Sequence, residues 1–401
     1  MIPADRALRI VRGAVKPRAA EKVLLLDCAG RVLAEDLRAR ADNPRFDHSS
    51  MDGYAVRSRD TAGAARKPVL LRLAGRIEAG DGMPPRLRAG TAVRILTGAP
   101  MPRGADAVVM QEHTALAGDQ VQVLCAVRPR ESVRFAGSDV RRGAPLLSRG
   151  RLLGARETAL LAGQGFRLVP VVLRPRAAVV STGSELVADG GPLGFGRIRD
   201  ANGPGLRAAL LRAGALVGAP AVAGDRLPAL RRTLRRALAG ADLVLVSGGV
   251  SVGDKDLTRA VLEGLGVKTR FWRVSIRPGK PLYFGTRGST AVFGLPGNPV
   301  SAWVCFEEFV RPALERMLAL PEREPWPLSG RVEADFEAEG RRKHYVFCRA
   351  RRAAGDWRLR LIPQDSGMTA AACRGSALTA VPLGARRVRA GERLPFRFID
   401  L

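Results

Sequence analysis

From Arg176 to about Leu320 the chain repeats one phrase: an apolar run, a glycine-bearing turn, then a stretch with helical spacing. "RAAVVSTGSEL", "DLVLVSGGVSVGDKD" and "STAVFGLPGNPVSA" each pass from an apolar run into a turn rich in Gly, Ser or Asn. Between them, "NGPGLRAALLRAGA", "LPALRRTLRRALAGA" and "LTRAVLEGLG" carry apolar residues three and four apart. Strands that alternate with helices form parallel pairs through crossovers, so the pattern predicts a doubly wound α/β domain with helices on both faces of its sheet. "TRFWRVSIRPGKPLYFG" reads as a further strand of that sheet. In such sheets ligands sit beyond the carboxyl ends of the strands, where the glycine turns gather.

The flanking segments read differently. "MIPADRALRIVRGAV" has the spacing of an amphipathic helix, and "KVLLLDCAGRVLAEDLRAR" alternates like short strands joined by a turn. From Asn43 to about Ser138, short β-like runs such as "YAVRS", "PVLLRLAG" and "ADAVVMQEH" sit among Gly and Pro, as in a small all-β domain. A turn-rich piece and a helix, "ARETALLAGQGF", lead into the α/β region, and after the Pro-rich "LPEREPWPLSG" the alternation becomes β-like again. A chain of 401 residues is long enough for two to four domains at roughly 100 to 200 residues each.

Composition removes several classes of function. The net charge of +28 would favour nucleic acid if it were clustered, but arginine is spread along the whole chain; the excess serves better to steer an anionic substrate. Five cysteines, Cys28, Cys125, Cys305, Cys348 and Cys373, lie far apart with no CxxC pair, as in a reduced cytoplasmic protein without structural zinc. His48, His113 and His344 share no metal-ligand spacing, and no Ser/His/Asp arrangement is indicated. No apolar run approaches the roughly 20 residues needed to cross a bilayer, and the N-terminus has no signal core, so a membrane is not expected as a partner.

Four loops of the α/β region carry the chemistry. "STGSEL" offers hydroxyls, free N–H groups and the carboxylate of Glu185; "SGGVSVGDKD" offers a glycine-lined N–H concavity followed by Asp254 and Asp256. A carboxylate beside a phosphate cradle makes sense chiefly when a hard cation such as Mg²⁺ bridges them. "RPGKP" sets two cations, Arg277 and Lys280, three residues apart on a proline-stiffened turn, and "LPGNPVSA" is a rigid turn feeding a helix at Ser301. Taken singly each is ordinary turn chemistry, as are Asp52 in "SSMDGY", Thr97 in "TGAP", Asp139 in "GSD" and Asp225 in "AGDRL". Four such loops in order on successive strand ends of one sheet indicate a pocket.

The series "SSMDGYAV", "TGAPMPRGADAVV", "GSDVRRG", "RPRAAVVSTGSELV", "SGGVSVGDKD", "RPGKPLYFG" and "LPGNPVSA", in this order over nearly the whole chain, resembles the molybdopterin molybdenumtransferases, the MoeA family that includes the gephyrin E domain. The resemblance implies a homodimer of four-domain chains. It assigns 1–44 with 139–173 to an elongated domain, 45–138 to a β-rich insertion, 174–326 to the α/β molybdopterin-binding domain and 327–401 to a small C-terminal β domain.

The implied activity is insertion of molybdenum from molybdate into adenylylated molybdopterin, with Mg²⁺-dependent hydrolysis of the adenylate and release of AMP. The resemblance gives catalytic roles to Asp52, Thr97, Asp139, Glu185, Asp225, Asp256 and Lys280, with Asp52 and Thr97 reaching the pocket from the partner subunit. Mg²⁺ would fall to Glu185, Asp254 and Asp256. The pterin and its phosphates would be cradled by Ser181, Thr182 and Gly183, by Ser247, Gly248, Gly249, Ser251 and Gly253, by Pro278 and Gly279, and by Pro296, Gly297, Asn298 and Pro299. Molybdate, a dianion that cannot be desolvated cheaply without donors, would fall to Arg277, Lys280, Ser301, Arg349 and Ser366.

Three positions depart from the family pattern: Arg277 stands where lysine is usual, Ser376 where asparagine is common, and His48 where Asn or Asp is usual. An adenylyltransferase acting on molybdopterin shares the α/β domain, but it usually carries threonine and glycine where this chain has "GGVS", and it lacks the β-rich front. That enzyme and molybdoenzyme maturation factors are the implied partners, and a non-catalytic scaffold is the remaining alternative.

Overall fold

The computed structural model describes residues 1–188, 190, 192–249 and 257–399. The chain forms two compact units. One comprises Met1–Ala34, Gly150–Gly154 and Val169–Leu401; the other comprises Glu35–Arg149 and Ala155–Leu168.

The larger unit is built on a seven-stranded sheet. Arg176–Thr182 pairs in parallel with Leu216–Val217, Ala221–Ala223 and Leu243–Ser247, and the last of these pairs in parallel with Thr290–Leu295. The central strand shows why the apolar runs lack alternation. Leu243 and Leu245 enter a cluster with Phe284, Phe293 and Leu206, whereas Val244 and Val246 enter another with Leu230, Leu234 and Val261 from the helices Leu227–Ala237 and Leu257–Gly264. A strand covered on both faces must be apolar at every position, and each fully buried aliphatic side chain contributes roughly 1.5–3 kcal/mol. The helix Ala4–Ala14 adds Ala4, Ala7 and Val11, spaced three and four apart, to the first cluster.

The sheet is mixed, and "TRFWRVSIRPGKPLYFG" is not one strand. Lys268–Trp272 and Tyr283–Arg287 extend the sheet antiparallel, while Ile276–Arg277 between them leaves it and pairs in parallel with Lys343–His344. Arg273 at φ 70° breaks the run, and Pro278 and Pro281 deny it ladder donors. The strands Leu328–Val332, Lys343–Ala353, Asp356–Leu361, Ala377–Val381 and Arg393–Phe398 then close into a small barrel, because Lys343–Ala353 pairs with both Asp356–Leu361 and Ala377–Val381. Its interior holds Val346, Leu359, Leu394 and Phe396.

In the smaller unit six strands lie in the order Ala107–Met110, Gly53–Val56, Thr91–Ile95, Val69–Ile77, Gln120–Val123, Thr114–Ala117. Gly53 is obligatory there: a Cβ would lie 2.0 Å from the Val109 carbonyl oxygen. The expected architecture, α/β with a β-rich front and a C-terminal β domain, is thus the observed one. Among the described residues no helix is long and apolar enough to cross a membrane.

Candidate functional site

Register places the loops. Ser181 lies opposite Ser247, and Ser247 opposite Leu295, so "STG", "SGG" and "LPG" leave the parallel strands at one level. Asn202, at the start of the helix Asn202–Arg212, joins two of them: its Nδ2 donates to Ser247 Oγ at 2.8 Å and to the Gly297 carbonyl at 2.7 Å. Asp200 supports the third, accepting from Ser181 Oγ and from the Gly203 backbone N–H at 2.9 Å each. Neither residue closes a strand-end motif in the sequence, although "RDANGPG" is a recognisable helix start.

Gly248 and Gly249 adopt φ 91° and 62°, and Gly248 N–H donates to the Leu295 carbonyl at 3.0 Å. Added Cβ atoms would meet the Thr182 carbonyl oxygen at 2.4 Å and Thr258 Oγ1 at 2.2 Å respectively, so glycine at 248 lets the first two loops approach this closely and glycine at 249 lets the second loop pack on the helix Leu257–Gly264. Ser251, Gly253, Asp254 and Asp256 lie outside the described residues.

Glu185 and Asp225 belong to neighbouring strand ends. Asp225 accepts from the Ser184 backbone N–H at 3.0 Å, and its own N–H donates to Ser184 Oγ at 3.1 Å. The Glu185 carboxylate lies against Gly183, where a Cβ would come within 2.5 Å of it. Among the described residues no group of three or more metal-ligating side chains forms.

The cationic side is a second cluster. Gly279, at φ 113°, packs against Cys305: a Cβ there would lie 2.7 Å from Sγ, and Sγ donates to the Gly279 carbonyl at 3.8 Å. Ser301 stands one helical turn before Cys305 in the helix Pro299–Cys305, on the same face, and is buried. The "RPGKP" turn therefore sits on the helix that "LPGNP" begins, with Lys280 exposed on it. From the barrel side, Ser366 joins this helix start: Asn298 Nδ2 donates to Ser366 Oγ at 2.7 Å, and Val300 N–H donates to the Ser366 carbonyl at 3.0 Å.

Arg277 NH1 reaches Glu339 Oε2 at 3.5 Å. Arg349 instead donates to the Arg374 carbonyl at 2.9 Å, and among the described residues no hydrogen bond joins it to Ser301, Ser366 or the "RPGKP" turn. Ser376 accepts from the Ala350 N–H at 3.3 Å, close along the barrel from Arg349.

His344, opposite Arg277 in the strand pair, is buried, and its Nδ1 has no hydrogen-bond partner. Burial, with Arg277 and Arg342 nearby and only Glu339 opposing, pulls its pKa down from 6.5 to about 4. The unfolded chain therefore binds more protons than the folded one between those values, and stability rises with pH across that window. His344→Gln is expected to remove up to about 3 kcal/mol of that dependence. Thermal unfolding followed from pH 4 to 7 checks it, and equal slopes in both proteins would refute it.

Two further predicted residues meet in the smaller unit. Asp52 Oδ1 accepts from the Thr97 N–H at 2.7 Å and from Thr97 Oγ1 at 2.8 Å, and these bonds, with the Arg94 charge, hold its carboxyl below the usual range. Asp139 is apart from them and accepts from Asn43 Nδ2 at 2.7 Å. His48 forms a short strand pair with Arg134.

Residues 2–165 match the family described as MoeA N-terminal region (domain I and II), and residues 178–316 match the probable molybdopterin binding domain. The chain is 37% identical over 370 residues to a molybdopterin molybdenumtransferase of a Nostoc species, covering 90% of this chain and 85% of that one. It is 40% identical to molybdopterin molybdenumtransferase 2 of Mycobacterium tuberculosis, over 75% of this chain and 76% of the relative. A crystal structure of a molybdopterin biosynthesis MoeA protein from Pyrococcus horikoshii superposes with a TM-score of 0.85 at 31% identity, covering 99% of both chains. By these matches over most of its length, the chain belongs to the MoeA family of molybdopterin molybdenumtransferases.

Proposed function

We propose that this protein inserts molybdenum from molybdate into adenylylated molybdopterin and releases AMP as the adenylate is hydrolysed, in the cytoplasm. The observation that carries the reading is the convergence of "STG", "SGG" and "LPG" at one level, the last two tied by Asn202, beside a turn bearing Arg277 and Lys280. The loops supply N–H groups and close backbone approach for the pterin and its phosphates. On the other side, Arg277, Lys280 and the Ser301 and Ser366 hydroxyls supply charge and donors for a tetrahedral dianion.

Glu185 and Asp225 suit Mg²⁺ in kind, offering hard carboxylate oxygens on adjacent strand ends, and Asp254 and Asp256, outside the described residues, follow the glycine loop in sequence. Bound there, Mg²⁺ would neutralise the charge of the leaving adenylate. The protein's own work is orientation. The Ser184–Asp225 pair fixes the first loop, and Asn202 fixes the second and third. We further propose a homodimer in which Asp52 and Thr97 act on the partner's pocket, an adenylyltransferase that supplies the substrate, and maturation factors that take the product.

The test is AMP release from adenylylated molybdopterin with molybdate and Mg²⁺. Asp256→Asn is expected to cut turnover at least a hundredfold with folding unchanged. Formation of the adenylate from ATP without its consumption would overturn the reading, and full turnover in the variant would remove Asp256 from the reaction.

A further inference from the structure

The chain places a carboxylate on the cation assigned to molybdate. Glu339 is held firmly from one side: Arg342 donates from NH2 to both carboxylate oxygens at 2.6 Å, from Nε at 3.1 Å, and from NH1 to the Ile276 carbonyl at 3.3 Å. From the other side Arg277 makes a single contact at 3.5 Å, with 46% of its side chain exposed. Arg342 thus fixes the carboxylate, while Arg277 only leans on it. A guanidinium has five N–H donors in a planar fork, so one can rest on Glu339 while others face solvent. A lysine, the usual residue here, offers a compact ammonium with no such fork.

We infer that Glu339 is a resident counter-anion for Arg277, which an incoming oxyanion must displace or outcompete, and that it is therefore a specificity-determining residue of the anion site. The inference rests on the proposed role of Arg277 in holding molybdate. Two effects of Glu339 oppose each other. It aims Arg277, which aids binding, and it repels the ligand, which hinders it. The aiming effect is small, because one long contact to an exposed guanidinium is worth little. The repulsion acts on both charges of a dianion, and the Glu339 side chain is only 21% exposed, so solvent screens it less and it dominates. Burial works against the charge on Glu339, but the bound Arg342 and nearby Arg277 hold its carboxyl below the usual range, and the repulsion persists at neutral pH. A cation already shared with a carboxylate discriminates by charge: monoanions gain little by replacing it, whereas a tetrahedral dianion gains more.

The test compares wild type, E339Q, R277Q and the double variant in the full-length protein, by equilibrium dialysis of molybdate and by AMP release against molybdate concentration. In E339Q, half-saturating molybdate is expected to fall at least fivefold, kcat to stay within twofold, and chloride to inhibit at lower concentration. In the R277Q background the same change should have no effect on molybdate. Unchanged or weaker binding in E339Q overturns the inference, as does an undiminished gain without Arg277.

If E339Q destabilises the barrel, E339D serves instead. It keeps Arg342 paired while withdrawing from Arg277, and a smaller gain in the same direction is expected; no gain counts against the inference. R277Q alone tests the underlying reading. If it leaves molybdate binding intact, the assignment of Arg277 falls; if it weakens binding while E339Q is neutral, only the role of Glu339 falls.

Discussion

A mixture of Asp52→Asn and Lys280→Ala proteins, each nearly inactive alone, is expected to recover about one quarter of wild-type activity after dissociation and random reassociation. The number follows from symmetry. Asp52 and Lys280 lie in different compact units of the chain, and the proposed homodimer completes each pocket with Asp52 from one protomer and Lys280 from the other. Random pairing makes about half the dimers mixed, and in each mixed dimer one pocket receives both wild-type residues while the other receives neither.

If both residues served a pocket within one chain, mixing would restore nothing above the parents. Asparagine at 52 retains an acceptor for the Thr97 N–H, so the loop should hold its shape while losing the charge that Thr97 stabilises. The mixed dimer must be shown by dual-tag purification. Activity at the parental level in that fraction, or a monomeric wild type by sedimentation, would sink the shared-site proposal.

What the sequence shows of this site and what it hides follow from the range of the interactions. Ser181, Ser247 and Gly297 are legible because each closes a local pattern, an apolar strand ending in a turn, and the parallel fold brings such ends to one level. Asn202 is hidden because its partners are 45 and 95 residues away, and nothing local marks it beyond a helix start. Ser366 is legible only through family resemblance, and its tie to Asn298 spans 68 residues.

The stretch 269–285 departs from the single strand expected of it for a different reason, while its "RPGKP" part is the turn expected. Its aromatic and β-branched residues suit a strand, but Ile276 and Arg277 pair with the barrel instead of the central sheet, a choice that tertiary pairing makes and propensity does not. The helix Ala4–Ala14 is legible as amphipathic, yet its spacing cannot name the surface it covers, which is the core beneath the central sheet. His344 has no metal-ligand spacing to mark it in the sequence. Its consequence is electrostatic and depends on Arg277 lying opposite it.

Gly248→Ala is expected to cost about 2–4 kcal/mol of stability and to abolish tight binding of the adenylylated pterin. Two costs add. The residue sits at φ 91°, where an L side chain is strained by roughly 1–2 kcal/mol. Its Cβ would also lie 2.4 Å from the Thr182 carbonyl oxygen and 2.9 Å from Thr182 Oγ1, and a backbone oxygen cannot swing aside as a long side chain can. The loop cannot simply rotate either, because the Gly248 N–H is bonded to the Leu295 carbonyl at 3.0 Å. Relief therefore requires the first and second loops to part, and that separation removes the shared cradle proposed for the phosphates.

Gly297→Ala is the control. The nearest atom to its added Cβ is the Gly248 Cα at 3.6 Å, an ordinary contact, and its backbone is not left-handed, so a change within about 0.5 kcal/mol is expected. Denaturant unfolding of the two variants, with equilibrium binding of the pterin adenylate to Gly248→Ala, separates the cases. Wild-type stability and affinity in Gly248→Ala would show that the loops do not need their close approach, and the convergence that supports the proposed reaction would lose its physical basis.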